Sequence, residues 1–151
     1  MLKWEEMETA RKGKISEMEV IFDLMKSGFD LYLTIADDQG IDAILRFAED
    51  GRLKYFDIQI KTIRDSYGSD FNKLLCPSDF RDNYILILAV TYATKKPGIF
   101  FITKETASLI QVSPDTRYKG YLNLAALGKE KPAELARIKI DKLPDFLGAA
   151  K

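Results

Sequence analysis

The chain has 151 residues, 46% of them apolar and 30% charged, a balance that suits one soluble domain with its own hydrophobic core. Its 23 basic and 23 acidic side chains cancel, so bulk charge does not mark it as a nucleic-acid binder. It has no histidine and a single cysteine, Cys76, which excludes Ser-His-Asp and Cys-His nucleophilic sites, nucleases of the His-Asn-His type, an internal disulfide and zinc on His or Cys ligands, and leaves magnesium or manganese on oxygen ligands as the metals it can hold.

In chain order, residues 5–27 have helical periodicity, with a break expected near Gly13 and a stop at Gly28. Ser16 and Glu19 have the spacing of a capping box, which would start a helix at Ser16. Residues 29–36 read as a strand, 37–40 as a turn and 41–48 as a second strand. Asp50-Gly51 is a two-residue hairpin signal, and residues 53–62 form the third strand. A polar loop with Gly68 and Pro77 follows. Residues 84–90 and 99–102 are continuous apolar strands, as expected where both faces of a sheet are covered. Residues 104–109 read as helix, 118–124 as an edge strand, and the C-terminal third as short helices. The order predicts one α/β domain over residues 1–151, a mixed central sheet flanked by helices.

The longest apolar run, residues 84–90, is too short to span a bilayer, and the N-terminus has no apolar signal region, so no membrane association and a cytoplasmic setting are expected. No glycine-rich phosphate loop is present, so no nucleotide cofactor is expected. Residues 1–50 carry 6 basic and 12 acidic side chains, and residues 51–151 carry 17 and 11. Such a division suits a metal site beside a phosphate-binding surface, or it is chance clustering of solvated charge.

The hairpin supplies the first candidate site. With Asp50 and Gly51 as the turn, position 42 stands opposite position 59, so Asp42 and Gln59 face each other with Cβ atoms about 4.5–5.5 Å apart. Alternation puts Asp57, Gln59 and Lys61 on one face of the third strand, and Phe56, Ile58 and Ile60 on the core face. A slip of one residue would separate the pair. The alternative is that these polar residues are the hydrated face of an amphipathic sheet.

The helix supplies the second. At about 100° per residue, Glu17 falls in the middle of an arc formed by Met18, Val20, Ile21, Leu24 and Met25, opposite Glu19, Asp23 and Lys26. A carboxylate on a core-facing stripe is costly unless it is paired or metal-bound. The alternative for Glu17 is a first-turn glutamate favoured by the helix dipole.

Gly13-Lys-Ile-Ser-Glu17, Gly40-Ile-Asp42 and Asp57-Ile-Gln-Ile-Lys61 together resemble the PD-(D/E)XK nuclease superfamily, in particular archaeal Holliday-junction resolvases and group I intron homing endonucleases of this type. The resemblance covers residues 13–62 and the next apolar strand. It departs from the family's pattern at Gln59, where an acid is usual; Asp57, on the same face, is placed to compensate. The resemblance implies a restriction-endonuclease-like core and a magnesium- or manganese-dependent endonuclease acting on DNA. It implies a metal held by Asp42, Gln59, the Ile60 carbonyl and Glu17, with Lys61 orienting the attacking water. A homodimer is the expected way for so small a domain to grip a duplex. The competing reading is a nuclease-like module that binds nucleic acid or protein without cutting. Secondary candidates for phosphate contact are Lys73, Arg81, Lys95 and Lys96, against simple solvation. Tyr67, Phe71, Phe80 and Tyr84 are candidates for base stacking, against core packing or a dimer contact.

Overall fold

The computed structural model describes residues 7–35, 40–65, 73–75, 80–92, 98–112, 121–123 and 132–149. Helix α1, Thr9–Lys26, runs without interruption through Gly13. It begins two turns before Ser16, so Ser16 and Glu19 lie in its interior and form no capping box, and Glu17 is not in its first turn. The helix ends in the pattern expected at Gly28: the Gly28 N–H donates to the Met25 carbonyl and the Phe29 N–H to that of Leu24.

Strands β1 (Asp30–Leu33), β2 (Ala43–Glu49) and β3 (Arg52–Asp65) form an antiparallel meander. In the β2–β3 hairpin Glu49 stands opposite Arg52 and Ala43 opposite Ile58, which is the register that a two-residue Asp50-Gly51 turn dictates. Both turn residues have positive φ, 49° and 76°, as the right-handed twist of paired strands requires. β3 outruns β2, and its far side pairs in parallel with β5 (Tyr84–Tyr92), which pairs antiparallel with β6 (Gly98–Ile102). The result is a mixed five-stranded sheet in the order β1-β2-β3-β5-β6.

β4 (Lys73–Leu75) lies within the segment read as loop; Gly68 and Pro77 lie outside the described residues. It joins β7 (Gln111–Val112) and β8 (Tyr121–Asn123) in a second, three-stranded sheet. β8 is the middle strand there, not an edge strand, because β4 and β7 pair on its two sides.

The apolar run of β5 is buried on both faces, as its lack of alternation implied. Ile85, Ile87 and Ala89 face a core with Val20, Ile21 and Leu24 of α1, Ile58 and Ile60 of β3, and Leu143 and Leu147 of a C-terminal helix (Leu143–Ala149). Tyr84, Leu86, Leu88 and Val90 face a second core that includes Ala107 of α2 (Lys104–Ile110), Ile138, and Leu135 of α3 (Pro132–Arg137). The chain is therefore an α/β fold, a mixed sheet with helices on both sides. Among the described residues no helix is long and apolar enough to cross a membrane.

The hairpin turn is directly testable. Gly51→Ala places a side chain in the left-handed region, at a cost of about 1–2 kcal/mol, and lowers the urea midpoint of unfolding without changing its slope.

Candidate functional site

Asp42 immediately precedes β2. Its backbone N–H donates to the Ile58 carbonyl at 2.8 Å, but Ile58 already pairs with Ala43, so two residues address one, the one-to-one register stops there, and the direct Asp42–Gln59 pair expected from the turn does not form. Its side chain is 4% exposed. A carboxylate so deeply buried needs partners, and among the described residues it has two. The Ile60 N–H donates to Oδ2 at 2.7 Å, and the Lys14 ammonium stands 3.6 Å from Oδ1. The first bond ties Asp42 to the backbone of β3 between Gln59 and Lys61. The second ties it to α1.

Lys14 also lies 3.3 Å from Glu17 Oε2, three residues along the same helix. The Glu17 side chain is 20% exposed and sits one turn before the buried Ile21, on the helix face that packs against the sheet. Two carboxylates from separate elements thus face one ammonium, and their oxygens can be no farther apart than the sum of those two distances. Lys14 had no assigned role in the sequence reading; its spacing of three from Glu17 was the available signal.

Gln59 emerges on the other face of β3 from Ile58 and Ile60. Its Oε1 accepts a hydrogen bond from the Tyr84 hydroxyl at 2.6 Å. Its Nε2 lies against Gly40, where an added Cβ would come within 2.7 Å of it, at a φ of +67°. The amide is thus clamped between a tyrosine on the neighbouring strand and a glycine two residues before Asp42. Tyr84, a stacking candidate, is buried and fills this role instead. Its ring meets that of Phe80 edge to face, with centroids 5.6 Å apart.

Lys61 is exposed, and among the described residues it makes no ion pair with Glu17, Asp42 or Asp57. Asp57 does not add a third carboxylate to the site. Arg81 lies 3.3 Å from its Oδ2, and the Asn83 side chain donates to the same atom at 3.4 Å. Arg81 also lies over the Tyr84 ring at 5.7 Å, so this candidate phosphate contact is engaged within the fold. Lys104 on α2 holds the adjacent Asp82 at 2.6 Å, and that ammonium keeps the Asp82 carboxyl below the usual carboxylate range. Tyr67, Phe71, Cys76, Lys95 and Lys96 lie outside the described residues, as does the side chain of Lys73.

Among the described residues no three His, Cys, Asp or Glu side chains come together as a ready metal cage. Any cation here would draw on two carboxylates, Glu17 and Asp42, supplemented by neutral oxygens such as the Gln59 amide and the Ile60 carbonyl. That donor set fits magnesium or manganese, which keep several waters and need only one or two protein carboxylates. The Lys14 ammonium already stands where a positive charge is balanced by both acids.

On the Gln59 side of the meander the sheet exposes Tyr32, Leu53 and Tyr55. The Arg46 guanidinium lies 5.5 Å over the Tyr32 ring and pairs with Asp30 at 2.6 Å, which raises the Arg46 pKa further. Alternation places this aromatic and cationic strip on the face that continues along β3 to Gln59.

No protein-family model matches the chain, and no curated protein matches it. Among solved structures it is similar to a bacterial homing endonuclease, I-Ssp6803I, with 14% identity and a TM-score of 0.46, over 84% of this chain and 97% of that one.

Two substitutions test the site's construction. Asp42→Ala leaves the buried Ile60 N–H without its partner and costs about 1–3 kcal/mol, whereas Asp42→Asn keeps an acceptor and costs less; chemical denaturation separates them. Gly40→Ala drives a methyl group into the Gln59 amide, and its destabilisation shrinks when Gln59→Ala is added, a coupling read from a double-mutant cycle.

Proposed function

We propose that this chain is a cytoplasmic, divalent-metal-dependent endonuclease of the PD-(D/E)XK type, hydrolysing phosphodiester bonds in DNA. The observation that carries the reading is the convergence of Glu17 and Asp42 on a single cation, at the point where Asp42 is bonded to the backbone between Gln59 and Lys61. Glu17, Asp42, Gln59 and the Ile60 carbonyl would hold a magnesium or manganese ion. When bound, such an ion polarises the scissile phosphate and lowers the pKa of a coordinated water.

The protein groups have separable tasks. Asp42 would help hold the ion with its Oδ1, while its Oδ2 is fixed by the Ile60 N–H, so the carboxylate cannot rotate away. Gln59 would offer a neutral oxygen from an amide held in place by Tyr84 and Gly40; a carbonyl oxygen has two lone pairs, so accepting the Tyr84 hydroxyl leaves one for a second partner. Lys61, exposed and projecting from the same strand, would orient the attacking water and balance charge on the phosphoryl oxygens as a compact ammonium does. The strip formed by Tyr32, Arg46 and Tyr55 offers a route for the nucleic acid toward that lysine. A homodimer would let so small a domain grip both sides of a duplex.

One observation favours a module that binds without cutting: among the described residues, the neutral Gln59 and the pairing of Asp57 with Arg81 leave two carboxylates for the ion. A cleavage assay decides between them. With magnesium, the wild-type chain is expected to cut at least one of branched, duplex or single-stranded DNA, and chelation is expected to stop it. Lys61→Ala is expected to slow cleavage by about 10²–10³-fold while leaving thermal unfolding unchanged, and Asp42→Asn to abolish it. Binding of DNA with no cleavage of any of the three would select the non-catalytic reading.

A further inference from the structure

We propose that Lys14 is a built-in counter-ion that holds the two carboxylates of the site together in the metal-free protein and is displaced when the divalent cation binds. The inference rests on the metal-site reading above and assigns that site its regulation.

Three features of the geometry support it. First, Asp42 is almost wholly buried, where a carboxylate is costly without a partner, and the Lys14 ammonium faces its Oδ1 at 3.6 Å. Second, Oδ2 of Asp42 is committed to the Ile60 N–H at 2.7 Å, so Oδ1 is the oxygen left to a cation, and it is the oxygen Lys14 faces. Lys14 and a metal ion therefore compete for the same atom, and also for Glu17 Oε2. Third, the Lys14 side chain is 55% exposed. A flexible four-carbon stem ending in a well-hydrated ammonium can swing into solvent at small desolvation cost, whereas the two carboxylates are held by the helix and by the strand.

Two consequences follow. The apo protein does not suffer the repulsion of two uncompensated acids, so it folds without metal. Metal affinity is reduced, because binding must first displace an ammonium that already satisfies both ligands.

The test is Mn²⁺ binding to the full chain, followed by electron paramagnetic resonance of the free ion, for wild type, Lys14→Met and Lys14→Gln. Each variant is also melted in chelator. Either neutral substitution is expected to tighten Mn²⁺ binding about fivefold, the scale of an exposed ion pair, and to lower the melting temperature in chelator. The Mn²⁺-induced rise in melting temperature should be larger than in wild type. Unchanged or weaker Mn²⁺ binding in both variants would overturn the displacement role while leaving the metal site standing, as would an unchanged melting temperature in chelator. Absence of Mn²⁺ binding in all three proteins would instead remove the metal-site reading, and this inference with it.

Discussion

The Ile60 N–H donates to the Asp42 carboxylate, and this buried bond joins the parts of the site. It forms because the residue just before β2 leaves the one-to-one register: its N–H bonds the Ile58 carbonyl that Ala43 already faces, and its side chain reaches the backbone of β3 beyond the paired region. The bond also decides the carboxylate's orientation: one oxygen points into the sheet and the other toward α1. What Asp42 can do chemically is a consequence of that division.

Charge is managed locally around this centre. Asp57, two residues before Gln59, is held by Arg81 and Asn83, and Asp82 is held by Lys104. These pairs keep neighbouring acids out of the site and anchor the segment that leads into β5. Among the described residues the acids left facing a common point are Glu17 and Asp42, balanced by Lys14. A neutral side chain at position 59 is compatible with such an arrangement, because its amide is positioned by packing against Gly40 and by the Tyr84 hydroxyl rather than by charge.

Much of this was legible in the sequence, for identifiable reasons. Asp50-Gly51 allows one short turn, and a period of two then fixes which residues share a face, so the pairing of Ala43–Glu49 with Arg52–Ile58 and the burial of Ile58 and Ile60 could be read directly, but the departure from that register at Asp42 could not. The β5 run lacks alternation because both its faces are covered. Glu17 stood out because a charge in an apolar arc needs a partner. Other features were hidden because they depend on tertiary contact. Ser16 and Glu19 imitate a cap, but α1 continues for two turns before them, carried by packing of its apolar face. The Lys14 bridge depends on where α1 sits relative to β2. The Tyr84–Gln59 bond depends on parallel pairing between strands distant in sequence, and Tyr84 by itself reads as core or as a stacking ring. β8 has too few residues to announce its place between β4 and β7.

We propose that Asp42 Oδ1 and Glu17 Oε2 form one side of a divalent-cation site. The most direct measurement is the anomalous difference density of crystals of the protein grown with Mn²⁺. A peak is expected between those two oxygens, within reach of the Gln59 amide or the Ile60 carbonyl, with the Lys14 ammonium moved out toward solvent. Density showing Lys14 still bridging the two acids under saturating Mn²⁺, with no ion beside Asp42, would contradict it.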